Sequence, residues 1–122
     1  LLQSVSAQNF RFLRCRNGIT PERFHILKDA RTITAWPDGR VCINTSGNHG
    51  MATAGSGDIL TGILAGLIAQ GMEPAQAAAA GVYLHGAAGD LQAEHTGTYG
   101  MMARDILDGI GIVLKEIERI PR

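Results

Sequence analysis

Gly55-Ser56-Gly57-Asp58 is the segment whose residue types carry the most chemistry. It follows a stretch of small residues and precedes a long apolar run, so it is expected at the start of a buried helix. Amides at a helix N-terminus point outward unpaired, and the helix dipole adds partial positive charge there, which makes an anion site. Glycines at 55 and 57 remove the side chains that would hold a phosphate away from those amides. Asp58 then adds a carboxylate beside the anion. That arrangement is electrostatically unfavourable unless the acid has a task, such as accepting the proton of a hydroxyl that attacks a transferring phosphoryl group. The competing reading is a helix cap, a common role for Asp at a helix start. Spacing alone does not choose between the two.

The elements that must position this turn are legible on either side of it. Ser6 to Cys15 reads as a helix closing near Asn17-Gly18, and Phe24 to Leu27 as a short strand. Thr32 to Trp36 and Arg40 to Asn44 are β-prone runs joined by Pro37-Asp38-Gly39, whose turn chemistry predicts a hairpin. Thr45 to Gly57 is built mainly from Gly, Ser, Thr, Asn and Ala and is expected to be a long loop, a kind that is usually functional or disordered. Apolar residues at Ile59, Leu60, Ile63, Leu64, Leu67 and Ile68 then give helical periodicity up to Gly71. Gly62 and Gly66 lie one turn apart within it, and close approach of a neighbour is the expected compensation for their low helix propensity. Pro74 suits the first turn of the next helix, which runs toward His95. A last helix is expected over Ala103 to Ile120, with Ile106, Leu107, Ile110, Val113, Leu114 and Ile117 on its core side.

Bulk properties narrow the partners. The 122 residues carry 11 basic and 11 acidic side chains, and a balanced charge argues against a dedicated nucleic-acid or membrane-surface binder. A small molecule is the better expectation. The longest apolar run, Ile59 to Ala69, is far shorter than the ~20 residues of a membrane span. Cys15 and Cys42 have neither CxxC nor metal-ligand spacing, and so sparse a pair suits reduced thiols in a cytoplasm. Leu1 to Asn9 lacks the pattern of a secretion signal. A chain that opens on leucine is expected to continue upstream.

The turn stands in a longer run: Asn48-His49-Gly50-Met51-Ala52-Thr53-Ala54-Gly55-Ser56-Gly57-Asp58-Ile59-Leu60-Thr61-Gly62, followed by Ala69-Gln70-Gly71. This resembles the signature of the NAD(P)H-hydrate dehydratases, in which a GN-x-GMA lead-in precedes GSGD-[VI]-LTG. Further residues keep the same order. Ile26-Leu27-Lys28 with Ala30 and Thr32 resembles the family's VLKGAxT segment, and Tyr83-Leu84-His85-Gly86 with Ala88-Gly89-Asp90 its YLHG-x-AGD helix. The resemblance runs from about Phe24 to the C-terminus. One departure is Asp29, which stands where the family has glycine and adds a carboxylate near the expected phosphates. Nothing resembles the family's upstream half.

The resemblance implies an α/β fold, a ribokinase-like three-layer sandwich. Residues 1–122 would be the C-terminal part of one such domain, contributing a partial sheet with a hairpin and the C-terminal helices. It implies Asp58 as catalytic base and contact to the hydrated nicotinamide ring, with Gly55, Ser56 and Gly57 as the anion hole. Lys28, Asp29, Ala30, Arg31 and Thr32 would contact the nucleotide's phosphate and ribose side, and Asn48, Gly50, Met51 and Ala54 would line the same nucleotide. The reaction implied is phosphorylation of the ring hydroxyl of hydrated NADH or NADPH by ADP or ATP, then elimination. Mg²⁺ would accompany the nucleotide, held by it and by water, because no metal-ligand cluster is visible. A homo-oligomer in the cytoplasm is expected. Two alternatives stay open: a vitamin kinase of the same superfamily, disfavoured by the GN-x-GMA lead-in, and an inactive nucleotide-binding fragment.

The remaining candidates have plainer readings. His85, on an apolar helix, is expected to be a satisfied core histidine, while His49 lies in the nucleotide loop. His25 and His95 have no partner spacing. Trp36 is read as turn or core packing, Thr61 as either a phosphate contact or a solvent-facing residue. Tyr99 and Met101, in the loop before the last helix, are read as hydrophobic anchors, with the edge of an adenine pocket as the other reading.

Overall fold

The computed structural model describes the backbone of Gln3–Ser4 and residues 25–29 and 31–120. Among them are four short strands, β1 (Gln3–Ser4), β2 (His25–Leu27), β3 (Ile33–Ala35) and β4 (Val41–Ile43). They form one sheet in the order β1-β4-β3-β2, with every neighbouring pair antiparallel. The expected helix over Ser6 to Cys15, Phe24 at the start of the first expected strand, and Ala30 lie outside the described residues.

The hairpin forms where Pro37-Asp38-Gly39 predicts it. Trp36 and Arg40 close it through the Arg40 carbonyl at 2.9 Å. Asp38 accepts from the Arg40 amide at 3.0 Å and pairs with the Arg40 Nε at 2.7 Å. The Arg40 amide, with its guanidinium, holds the Asp38 carboxyl below its ordinary value. That guanidinium stands 5.6 Å from the centre of the buried Trp36 ring. Beneath the turn, Ala35 and Val41 are buried against Leu27 and Ile33.

Three helices follow: α1 (Ser56–Ala69), α2 (Pro74–Thr96) and α3 (Ala103–Glu118). Helix α2 is central and packs on both others. Its Ala-rich first half allows this, because small side chains bring helix axes close. The main core gathers Leu84 and Ala88 of α2, Ile106 and Val113 of α3, and Met51 and Met101 from the loops. At the start of α3 the Asp105 carboxylate accepts from the Met102 amide at 2.7 Å, satisfying a donor just outside the helix.

Several sequence expectations need correction. The small-residue segment is not all loop, since His49–Met51 forms a 3₁₀ turn and α1 begins at Ser56. Asn48 explains the turn: its side chain accepts from the Gly50 amide and caps it. Helix α1 is not a buried helix, as Ser56 and Leu60 alone are buried within it. Nothing lies within 4 Å of where a Cβ would stand at Gly62 or Gly66, so no described neighbour approaches them. On α3, Leu107, Leu114 and Ile117 are 53%, 42% and 44% exposed rather than core. Helix α2 covers only the strip of Ile106, Gly109 and Val113, spaced three and four apart, and the flanks stay open. No described helix is long and apolar enough to cross a membrane.

Candidate functional site

The strand β4 delivers the chain into a segment tied down by α2. Asn44, buried at the end of β4, donates to the carbonyls of Ser46 at 3.2 Å and Val82 at 3.1 Å. Ser46 reaches the Tyr83 carbonyl at 3.3 Å. Two turns further along α2, Asp90 accepts from the Gly47 amide at 2.7 Å and from the Asn48 Nδ2 at 3.0 Å. Met51 then inserts into the core.

Gly86 and Gly89 are what let the segment lie so close. A Cβ at Gly86 would stand 2.8 Å from the Ser46 carbonyl oxygen, and one at Gly89 would overlap the Met51 sulfur. His85, Gly86, Gly89 and Asp90 share one helix face by their spacing. The loop motif and the helix motif therefore form one interlocked unit.

This unit walls a cavity of about 530 Å³. The corner between β2 and β3 supplies Lys28, Asp29, Arg31 and Thr32, the 44–52 segment supplies Asn44, Ser46, Gly47, Asn48, His49, Met51 and Ala52, and α2 supplies His85 and Gly86. Arg31 donates to the Thr45 carbonyl at 3.2 Å and so braces the corner against the segment. The His49 ring meets Tyr99 edge to face, 5.9 Å between centres. Met101 is buried in the core and Tyr99 lies fully in solvent, so of the two expected anchors only Met101 is one.

Of the expected nucleotide contacts, Lys28, Asp29, Arg31, Thr32, Asn48 and Met51 line the cavity. Gly50 stands between two lining residues, and Ala30 lies outside the described residues. Ala54, Gly55, Ser56, Gly57 and Asp58 are not in the cavity wall. They form a separate, neighbouring turn in which Ala54, Gly55, Gly57 and Asp58 are exposed and Ser56 is buried.

Gly55 is the N-cap of α1 with φ 88°, a left-handed conformation that glycine adopts without strain, and no side chain caps the helix. Asp58 thus stands in the first turn of α1, where its charge favours the helix start, and not at the N-cap position itself. Its carboxylate makes no hydrogen bond or ion pair with any described residue. The Ser56 amide donates to the Thr53 carbonyl at 3.2 Å and the Ile59 amide to the Gly55 carbonyl at 3.1 Å, which leaves the amides of Gly57 and Asp58 as the outward-pointing donors. Thr61 bonds back to the Gly57 carbonyl at 3.0 Å.

His85 joins the two parts. It is buried, as expected of a core histidine, with Nε2 2.9 Å from the Ser56 carbonyl oxygen and 3.3 Å from the Ser56 Oγ. Desolvation pushes its pKa below the ordinary value. The Ser56 carbonyl opposes that shift, and the positive charge of Lys28 adds to it. Sequence reasoning missed His85 as a cavity residue, along with Asn44, Ser46, Gly47 and Gly86, and it missed the bracing role of Asp90. The available signal was the i, i+4 pairing of small and polar residues within an otherwise Ala-rich helix. Among the described residues no group of three or more His, Cys, Asp or Glu could hold a metal ion.

Comparison with known proteins agrees with this geometry. Residues 23–111 match the family model described as NAD(P)H-hydrate dehydratase. The chain is 61% identical over 93 residues to the bifunctional NAD(P)H-hydrate repair enzyme Nnr of Moorella thermoacetica, covering 76% of this chain and 18% of that protein. It is 49% identical over 82 residues to the ADP-dependent (S)-NAD(P)H-hydrate dehydratase of Neisseria meningitidis, covering 66% of this chain and 28% of that protein. In structure it is similar to the ADP/ATP-dependent NAD(P)H-hydrate dehydratase of Bacillus subtilis, co-crystallised with ATP/Mg²⁺ and soaked with CoA, with a TM-score of 0.77 and 29% identity. That match covers 90% of this chain and 39% of the Bacillus chain. The chain thus spans well under half the length of these relatives. Family model, sequence relatives and fold agree, and the chain belongs to the NAD(P)H-hydrate dehydratase family.

Proposed function

We propose that this chain supplies the phosphate-binding half of a dehydratase that returns hydrated NADH or NADPH to its reduced form, using ADP or ATP. The observation that carries this reading is the juxtaposition of a basic cavity with a helix start whose carboxylate has no partner among the described residues. Lys28 and Arg31 give the cavity its positive charge, which suits the phosphates of a nucleotide. The outward amides of Gly57 and Asp58 suit the transferring phosphoryl group.

Asp58 takes the proton of the ring hydroxyl as that oxygen attacks the terminal phosphorus. The new O–P bond forms as the bond to the nucleotide's bridging oxygen breaks, releasing AMP from ADP or ADP from ATP. Hydroxide is a poor leaving group and phosphate a good one, so loss of phosphate with a ring proton then restores the ring double bond. The names of the relatives, one ADP-dependent and one ADP/ATP-dependent, support nucleotide use.

Mg²⁺, when bound, screens the charge of the nucleotide's phosphates. It fits this site as a nucleotide-borne ion, since Asp29 is the one carboxylate among the described residues lining the cavity. Asp29 also puts negative charge where the family has glycine and is expected to weaken phosphate binding. A cytoplasmic location and a homo-oligomer belong to the same proposal, and the apolar flank of Leu107, Leu114, Ile117 and Ile120 on and just after α3 supports the second of them.

The test is incubation with hydrated NADH and Mg²⁺ plus ADP or ATP, following recovery of dihydronicotinamide absorbance, with Asp58→Asn as control. Nucleotide-dependent recovery that disappears in the variant supports the reading. A well-folded chain that binds nucleotide without recovery would instead be a binding fragment.

A further inference from the structure

Ser56 occupies an unexpected place in the turn. Its neighbours Gly55 and Gly57 are exposed, yet Ser56 itself is 1% exposed, so its hydroxyl faces the interior and not an incoming phosphate. An anion turn whose outer residues are glycines has no side chain of its own to hold it in place. Apart from the Thr61 hydroxyl on the Gly57 carbonyl, it is held from inside, through Ser56.

The described side chain that does so is His85. A carbonyl oxygen only accepts, so Nε2 at 2.9 Å from the Ser56 oxygen must carry the hydrogen. That hydrogen bond adds a second donor to a carbonyl whose other partner is the α1 ladder, and it reaches the turn from a helix 29 residues later in the chain. The same ring forms part of the cavity wall that includes Lys28, Thr32 and Asn48. Thus one buried side chain touches both halves of the site, which are otherwise separate in their lining residues.

We propose that His85 is a positioning residue, holding the Ser56 carbonyl from the cavity side so that the amides of Gly57 and Asp58 are presented in register with a nucleotide in the cavity. The identity of that ligand rests on the dehydratase reading, whereas the positioning itself does not. His85 does not need to change protonation for this role, because the neutral Nε2–H tautomer and the imidazolium both donate from Nε2.

The experiment compares wild type, His85→Gln and His85→Leu by amide hydrogen exchange, with and without ADP, and reads the His85 tautomer by nitrogen NMR in the wild type. Gln carries a donor close to the position of Nε2 and Leu carries none. Exchange of the bonded amides of residues 59 and 60 is expected to quicken at least tenfold in His85→Leu, with α2 and α3 unchanged and the Gln variant near wild type. ADP is expected to slow exchange of the turn in wild type and Gln but not in Leu. Unchanged turn exchange in the Leu variant overturns the proposal, as does uniform acceleration across all three helices. An Nδ1–H tautomer in the wild type overturns it too, without recourse to any variant. Absence of an ADP effect in the wild type counts against the functional reading alone, because the exchange of the unliganded turn still decides the role of His85.

Discussion

Residues 44–51 and residues 53–58 differ sharply in how they are held, although both belong to one motif. The first segment is tied to α2 by Asn44, Ser46, Asn48 and Asp90 and nailed to the core by Met51. The second is exposed at Gly55, Gly57 and Asp58 and is held from within through Ser56. The helix that follows packs Ile59, Ile63 and Leu67 half-buried against the core and leaves Ile68 exposed. One half of the site is thus a finished piece of architecture and the other is chemistry on an uncovered helix end. Substitutions in the first half should cost stability, and substitutions in the second should cost ligand binding or turnover.

The largest effect is expected at Asp58. Wherever the chain supports turnover, Asp58→Asn removes the proton acceptor and should lower the rate roughly 10²- to 10⁴-fold. Its melting temperature should fall by no more than the small loss expected for a charge in the first helical turn, since the carboxylate has no described partner. A larger fall alongside the rate would make Asp58 structural and erase the contrast.

Gly86→Ala and Gly57→Ala test the contrast as a pair. The new methyl at 86 has the Ser46 carbonyl carbon and oxygen at 2.8 Å. Backbone must shift there, at a cost of about 3 kcal/mol in urea unfolding. At 57 nothing lies within 4 Å, so stability should hold or rise slightly while ADP affinity falls as the methyl crowds the amides. Equal stability losses at both glycines would show that the two halves are not held differently.

Asp90→Asn should have a smaller effect, about 1 to 2 kcal/mol. The carboxylate accepts through both oxygens, from the Gly47 amide and the Asn48 side chain. An amide offers one acceptor and turns its NH₂ toward a donor. Unfolding measured against denaturant reads the loss, and nucleotide affinity should fall with it because Asn48 lines the cavity.

The same contrast explains what was legible in the sequence. The hairpin and the three helices follow from turn chemistry and periodicity, and the cavity residues Lys28, Asp29, Arg31, Thr32, Asn48 and Met51 from the family resemblance that a dense motif carries. Burial along α1 and α3 did not follow. Periodicity marks a face as apolar but not as covered, and Ile68 and Leu107 stay 47% and 53% exposed. The role of α2 was hidden for another reason. Asn44, Gly86 and Asp90 act through contacts across some forty residues, and no local pattern announces which small residue receives which loop.

The smallest predicted effect concerns His85 and acid. Its folded-state pKa lies below the ordinary imidazole value of 6.5 because burial disfavours the cation, with Lys28 acting in the same direction. The other charged groups in the cavity wall are Asp29 and Arg31. Above pH 6.5 His85 is neutral in both folded and unfolded chains and its full contribution is present. As pH falls below that value, the unfolded chain takes up the proton first, so it binds more protons than the folded chain and stability declines toward the folded-state pKa. His85→Gln cannot titrate there, so subtracting its unfolding free energy from that of wild type between pH 7.5 and 5.5 isolates the effect from the other histidines. The difference should turn against wild type on acidification. A flat difference would mean that the folded and unfolded chains hold the His85 proton equally, and one that favours wild type in acid would mean that the ring is charged in the folded protein, against the direction set by its burial.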